Sequence, residues 1–466
     1  MFSYLRRGGN FYRRVGALAA PMILQNLITS TLAMADTFMV GMLGEEPMAA
    51  VTLANIPVFV IQLFFFGVQS GSTVLISQYW GKGDRDAINR VFGVALWAVN
   101  LVSITFALIL WMFPIEFLSF FGNEPKLIAL AAKYARIIGI SYVLNGVTLV
   151  YIAAWRSMER PKLGMYILAA SMGTNTFLNW VLIFGNLGAP KLGVEGAAIA
   201  TLMARIVEIC IVVVHMVRTS TFRFQLSGLL CPGRYMVGKF IRYGGPVVCN
   251  ETMWGMGTAV FPTIMGHMEG STEILAAYTI AGNVEKLCMV AAFGIAGTAS
   301  IIIGREVGAG RSHVVYEIGL TLNTLAAAAG TVIGGGLLLF TYFVAPKWFF
   351  PLFHLSPGAC QVATMMLTVL AFVMPVRDFN NCNIVGVLRG GGDVKAATLI
   401  DLIPLWLVAI PLAALAGAVL RMEILWVYLA MSAEAAFKCG IGVWRLKSGK
   451  WIHDLTGYEG KKEDLT

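Results

Sequence analysis

The chain has 466 residues, of which 58% are hydrophobic and 13% charged, and its mean hydropathy is +0.75. A soluble protein of this length needs far more polar surface to cover its core. The composition therefore excludes a soluble globular fold, despite a formal charge of +9 that could suggest nucleic acid.

The apolar residues come in runs of helical length, not in the alternating pattern of a membrane barrel. The fold class expected is an all-α integral membrane protein with twelve transmembrane helices. The spans are predicted near 15–42, 49–79, 91–113, 127–155, 163–186, 194–217, 239–266, 274–303, 315–344, 358–388, 396–419 and 424–446. Several exceed a straight crossing, so tilt or protrusion is expected. The start, MFSYLRRGGNFYRRVG, is basic, but the apolar run after it is too long for a cleavable signal and lacks a small-residue cleavage site.

Span one carries the most informative residue. Asp36 sits in the apolar stretch Ala17–Val40 together with Gln25, Asn26 and Thr29. A carboxylate at membrane depth is costly, faces the bundle interior by default and marks an ion or substrate path. In span two, Gly67 and Gly71 of GVQSG allow close helix approach. Asn175 and Asn179 lie one turn apart on span five and share a face. Thr201 follows on span six. These oxygens either complete a cation or proton site with Asp36 or simply join helices by hydrogen bonds.

The second half has its own deep acids: Glu251 in span seven, Asp378 in span ten and Asp401 in span eleven. They read as a second site for a cation or a cationic substrate, or else as acids neutralised by Lys286 and Arg377. Glu434 and Lys438, spaced i, i+4 on span twelve, read as a surface pair.

Most Lys and Arg fall in one alternate set of segments: the N-terminus, the loops around Lys82, Arg156, Arg218–Arg242, Arg305 and Arg389, and the C-terminal tail. That bias predicts a multi-pass protein of the cytoplasmic membrane with both termini in the cytoplasm. The chain also repeats weakly. A shift of 227 aligns Gly67, Gly81 and Gly83 with Gly294, Gly308 and Gly310, and a shift of 233 aligns Arg156 with Arg389. Two pseudo-symmetric six-helix lobes are therefore expected, at 1–218 and 238–450, joined by a polar, basic linker at 219–237. The polar tail 451–466 is expected to be a solvated end. The seven cysteines are scattered without a C-x-x-C, so neither a disulfide framework nor a metal site is expected. No H-E-x-x-H, G-x-S-x-G or Walker A motif occurs, so the chain is not expected to be an enzyme or to draw energy from a nucleotide.

Several segments together resemble one family: PMILQNLITSTLAMADTFMVGMLG, GVQSGSTVLISQYWGKGD, AAWRSMERPKLG, NTFLNWVLIFG with GVEGAAIATLMARIVE, and VGVLRGGGDVKAATLIDLIPLW. The chain resembles the multidrug and toxic compound extrusion (MATE) family of efflux antiporters over nearly its whole length. The resemblance implies two six-helix lobes around a V-shaped cavity, and export of organic, often cationic, compounds in exchange for sodium or protons. It implies that Asp36 is the acid of the first-lobe cation site, with Asn175 and Thr201 as partners. Asn179 matches a position that is Asp in some members, which removes one charge. Asp378 matches a second-lobe acid of some members, and Glu251 lies near another. No cofactor is implied beyond the coupling ion. The implied partners are a small organic substrate and membrane lipid, with no nucleic acid, and the protein is expected to be a monomer. The alternative reading is a flippase for lipid-linked precursors, which would carry a more basic interior.

Overall fold

The structure is a computed structural model and describes residues 3–353 and 355–457. Among these residues the chain forms twelve long helices: α1 (Gly9–Gly41), α2 (Glu45–Lys82), α3 (Arg85–Met112), α4 (Pro125–Ser157), α5 (Lys162–Phe184), α6 (Val194–Arg218), α7 (Arg234–Gly266), α8 (Ser271–Gly308), α9 (Ser312–Phe353), α10 (Pro357–Leu388), α11 (Val394–Val419) and α12 (Ile424–Lys447). Eleven of them are long and apolar enough to cross a bilayer; α7 matches them in length but not in apolarity. The expected all-α, twelve-helix class is what the chain adopts.

The helix ends follow from local chemistry. Gly83 stops α2 in the left-handed region at φ 80° and returns its N–H to the last turn. Asp84 then caps α3 by accepting from the Ala87 N–H at 3.0 Å. The repeat places Gly310 at the equivalent turn after α8, and its φ is 74°. Parts of α9, α10 and α11 are wound as π-helix, at Phe340–Phe349, Cys382–Leu388, Leu405–Ala409 and Leu415–Val419.

The chain divides into two compact units. The N-unit is Leu24–Val248, and the C-unit is Met1–Ile23 with Cys249–Thr466. The boundaries thus fall inside α1 and α7, not at the segment 219–237 where the repeat places them. Within the N-unit, α4 packs on α2, α3 and α6, and α5 on α6. Within the C-unit the equivalent pairs recur: α10 on α8, α9 and α12, and α11 on α12. One core cluster of the C-unit includes a stripe on α10, Met366, Leu370 and Met374, packed with Ile274, Ala277 and Leu405.

Two expected surface segments are docked. Phe222, within the sequence expected to be a polar linker, is buried. Trp451, where the solvated tail was expected to begin, is fully buried. The described part of the tail is therefore bound to the C-unit, because an indole ring outweighs its polar neighbours. Residues 458–466 lie outside the described residues.

Close approach within the N-unit depends on small residues. A Cβ on Gly71 would lie 2.7 Å from the Gly244 Cα, and one on Gly67 would lie 2.6 Å from the Val248 Cα. Backbone cannot yield as a flexible side chain does. Gly71→Val is expected to cost about 1–3 kcal/mol through overpacking. A thermal melt of purified protein checks this, and a wild-type melting temperature would count against the contact.

Candidate ion sites in the two units

In the N-unit, α5 buries one stripe, Ser171, Asn175, Asn179 and Ile183, and exposes Phe177 and Trp180 on the opposite side. Two amides on a buried stripe must find partners inside the bundle. Asn179 donates to the Asp36 carboxylate at 2.6 Å and to the Asn175 carbonyl oxygen at 2.9 Å. Asn175 donates to the Thr201 hydroxyl at 3.2 Å, and Thr201 donates to the Ala197 carbonyl at 3.0 Å. The four residues predicted from sequence thus form one chain of hydrogen bonds across α1, α5 and α6, ending on the carboxylate.

The chain of donation leaves oxygen capacity behind. The buried Asn179 side-chain oxygen has no hydrogen-bond partner among the described residues. Asp36 forms no salt bridge among them, although the positive charge of Arg205 acts on it from one turn beyond Thr201. Arg205 itself is bonded to the fully buried Glu208 at 2.5 Å. One carboxylate, two amide oxygens and a hydroxyl suit either a hard cation or a proton held on Asp36. Among the described residues no group of three or more His, Cys, Asp or Glu is arranged to hold a metal ion. The donor set is thus mostly neutral oxygen, unlike a transition-metal site.

The C-unit acids separate into two kinds. Glu251 is paired with the fully buried Arg389 at 2.7 Å. Asp401 meets Lys438 at 2.9 Å and accepts from Asn250 at 2.8 Å. Lys438 also meets Glu434 at 3.1 Å. Asp378 stands apart: it is fully buried, and neither carboxylate oxygen has a hydrogen-bond partner among the described residues. It continues the core stripe of α10 one turn beyond Met374, just before the π-helical turn at Cys382. Gly330 of α9 makes room for it, since a Cβ there would lie 3.0 Å from the Asp378 Cβ.

Three sequence expectations change here. The cations that neutralise the acids are Arg389 and Lys438, not Lys286 and Arg377: Lys286 is exposed, and Arg377 binds Glu285. Glu434 and Lys438 are not a surface pair, because Lys438 is buried and shared with Asp401. Arg389, counted among the loop charges, is inside the protein. Its position directly after the apolar VGVL run was the available signal. A groove of about 630 Å³ in the C-unit, lined by residues such as Tyr342, Phe350, Thr364 and Met365, has none of these acids in its lining.

Paired helical units with isolated carboxylates inside spanning helices are the build of a membrane carrier. The MatE family model matches residues 21–181 and 247–415, and the chain belongs to that family, the MATE efflux transporters. It is 26% identical over 448 residues to the probable multidrug resistance protein NorM of Thermotoga maritima, covering 93% of this chain and 92% of the relative. It is 25% identical to the probable multidrug resistance protein YoeA of Bacillus subtilis, covering 91% of each. Its fold matches an outward-facing multidrug resistance MATE transporter of the MOP superfamily with a TM-score of 0.83 at 19% identity, covering 94% of this chain and 96% of that one. The eukaryotic MATE transporter AtDTX14 matches equally well, with a TM-score of 0.83 at 18% identity over 95% of this chain and 97% of that one.

Proposed function

We propose that the protein is a secondary antiporter of the cytoplasmic membrane that exports organic, often cationic, compounds in exchange for sodium or protons. The observation that carries this reading is the Asp36 carboxylate, lodged in a spanning helix and supported by Asn179, Asn175 and Thr201. The names of its relatives, multidrug resistance proteins, support the same substrate class. A cation entering from outside neutralises Asp36 and stabilises one conformer, while substrate stabilises the other. Each ligand shifts the population by its difference in affinity for the two states. Asp378 is the second candidate for an ion or for a cationic substrate. Glu251 and Asp401 are poorer candidates, because each already has a basic partner. A flippase for lipid-linked precursors would need basic groups free for anionic headgroups, and Arg389 and Lys438 are instead committed to carboxylates.

Dye efflux from proteoliposomes, with sodium and proton gradients imposed separately, tests the proposal. Export driven by either gradient supports it; dye movement indifferent to both would overturn it. The coupling ion has its own test in Asn179→Asp, which puts a second carboxylate beside Asp36. A hard cation gains from added anionic oxygen, so the sodium-driven share of export is expected to rise. An unchanged sodium response would argue that Asp36 carries a proton.

A further inference from the structure

In each unit a stretch of chain after a long helix, α6 in one and α12 in the other, returns onto its own bundle. After α6, Phe222 is buried, and Phe224 stacks on Phe92 of α3 with ring centroids 4.4 Å apart. Asn89 of α3 donates to the Gln225 carbonyl at 2.7 Å and accepts from the Gln225 N–H at 3.1 Å. The short helix Leu226–Leu230 lies on Gly93, where a Cβ would stand 2.6 Å from the Gly228 carbonyl oxygen.

After α12, Trp451 enters the C-unit. Its indole N–H donates to the Leu446 carbonyl at 3.0 Å. Its ring occupies the space where side chains are missing: a Cβ would lie 2.4 Å from the ring at Gly391 and 3.4 Å from it at Gly319. The His453 N–H donates to the Gly391 carbonyl at 2.7 Å, and Gly392 and Ile452 form an antiparallel bridge. Arg445 binds Asp393 at 2.6 Å and the Lys450 carbonyl at 3.0 Å. The repeat shift of 227 makes Phe92 and Gly319 equivalent positions. One bundle offers a ring on which the returning chain stacks. The other leaves a hole, and the returning chain brings the ring.

The loop held by the tail, Gly390–Asp393, directly follows Arg389, whose guanidinium meets Glu251. We infer that the segment Ser448–Thr456 is a clasp with Trp451 as its anchor, and that Trp451 is a positioning residue: it fixes the loop and thereby holds Arg389 on Glu251. A tail that merely ended there would need no fully buried tryptophan, no backbone pairing and no glycines cut to its ring.

Amide hydrogen exchange on the full-length protein tests the clasp without reference to transport. The Gly391, Gly392 and Asp393 amides bond to carbonyls of Val387, Arg389 and Leu388. Trp451→Ala is expected to raise exchange across 388–393 by about tenfold or more, as loss of local protection does. Trp451→Phe should restore most of the protection, and truncation after Gly457 should leave it intact. Should Trp451→Ala fail to fold, Trp451→Leu carries the same expectation in weaker form. Unchanged exchange in these anchor variants would overturn the clasp. The link to export rests on the proposed antiport and is read separately: Trp451→Ala should move the pH profile of dye efflux in the same direction as Arg389→Gln. Raised exchange with a wild-type pH profile would overturn that link alone.

Discussion

Asp36→Asn is expected to abolish gradient-driven export while the protein remains in the membrane. The substitution keeps the side-chain shape and an oxygen for Asn179 to donate to, so the hydrogen-bonded chain through Asn175 and Thr201 can persist. What disappears is the charge that distinguishes an occupied site from an empty one. A coupling free energy of about 1–3 kcal/mol corresponds to about a 5–150-fold effect, and a stimulation of dye efflux of that order by a gradient in the wild type should vanish in the variant. The measurement is initial efflux rate with and without an imposed gradient, at matched reconstitution levels. Full gradient stimulation in the variant would remove Asp36 from the mechanism. Asn179→Ala should give a smaller loss, since it leaves the carboxylate but removes its donor.

Arg389→Ala should have the largest effect on stability. It leaves Glu251 without its basic partner deep in the C-unit, and breaking a buried pair from one side costs about 3–5 kcal/mol. Replacing both partners by apolar residues of similar size should recover much of that loss, because the cost lies in the stranded charge and not in the missing attraction. Arg389→Met with Glu251→Leu is the variant to compare. Melting temperatures of the two single variants and the double variant form the cycle that measures the coupling. Single variants that melt as wild type would show that the pair contributes nothing measurable.

The class of fold was plain in the sequence because it rests on the coarsest signal: runs of apolar residues long enough to span a bilayer. The hydrogen-bonded cluster of the N-unit was legible for a related reason. Asp36, Asn175, Asn179 and Thr201 are polar residues on apolar helices, and buried polar groups in such helices have few places to go except to each other. The C-unit was harder to read. Its acids were visible, but their partners come from distant parts of the chain: Arg389 lies 138 residues from Glu251 and Asn250 lies 151 from Asp401. Local spacing cannot reveal such pairs, and it gave the wrong ones, because Lys286 and Arg377 are neighbours of acids in sequence. The tail was misread from its average polarity, when one tryptophan opposite two glycines determined where it lies. The packing units differ in their bounds from the repeat halves because the repeat records equivalent halves of the sequence, whereas packing assigns each residue to the bundle it touches.

That last difference bears on how the chain can be cut. A fragment 1–218, one half by sequence, lacks Lys239, whose amine meets the Tyr79 hydroxyl at 2.9 Å, and Gly244, which receives α2 at Gly71. It also retains Gly9–Ile23, whose packing partners lie beyond the cut: Met22 meets Thr298 and Gly297. Half-genes expressed alone should therefore yield misassembled protein, and only coexpression of both should complement.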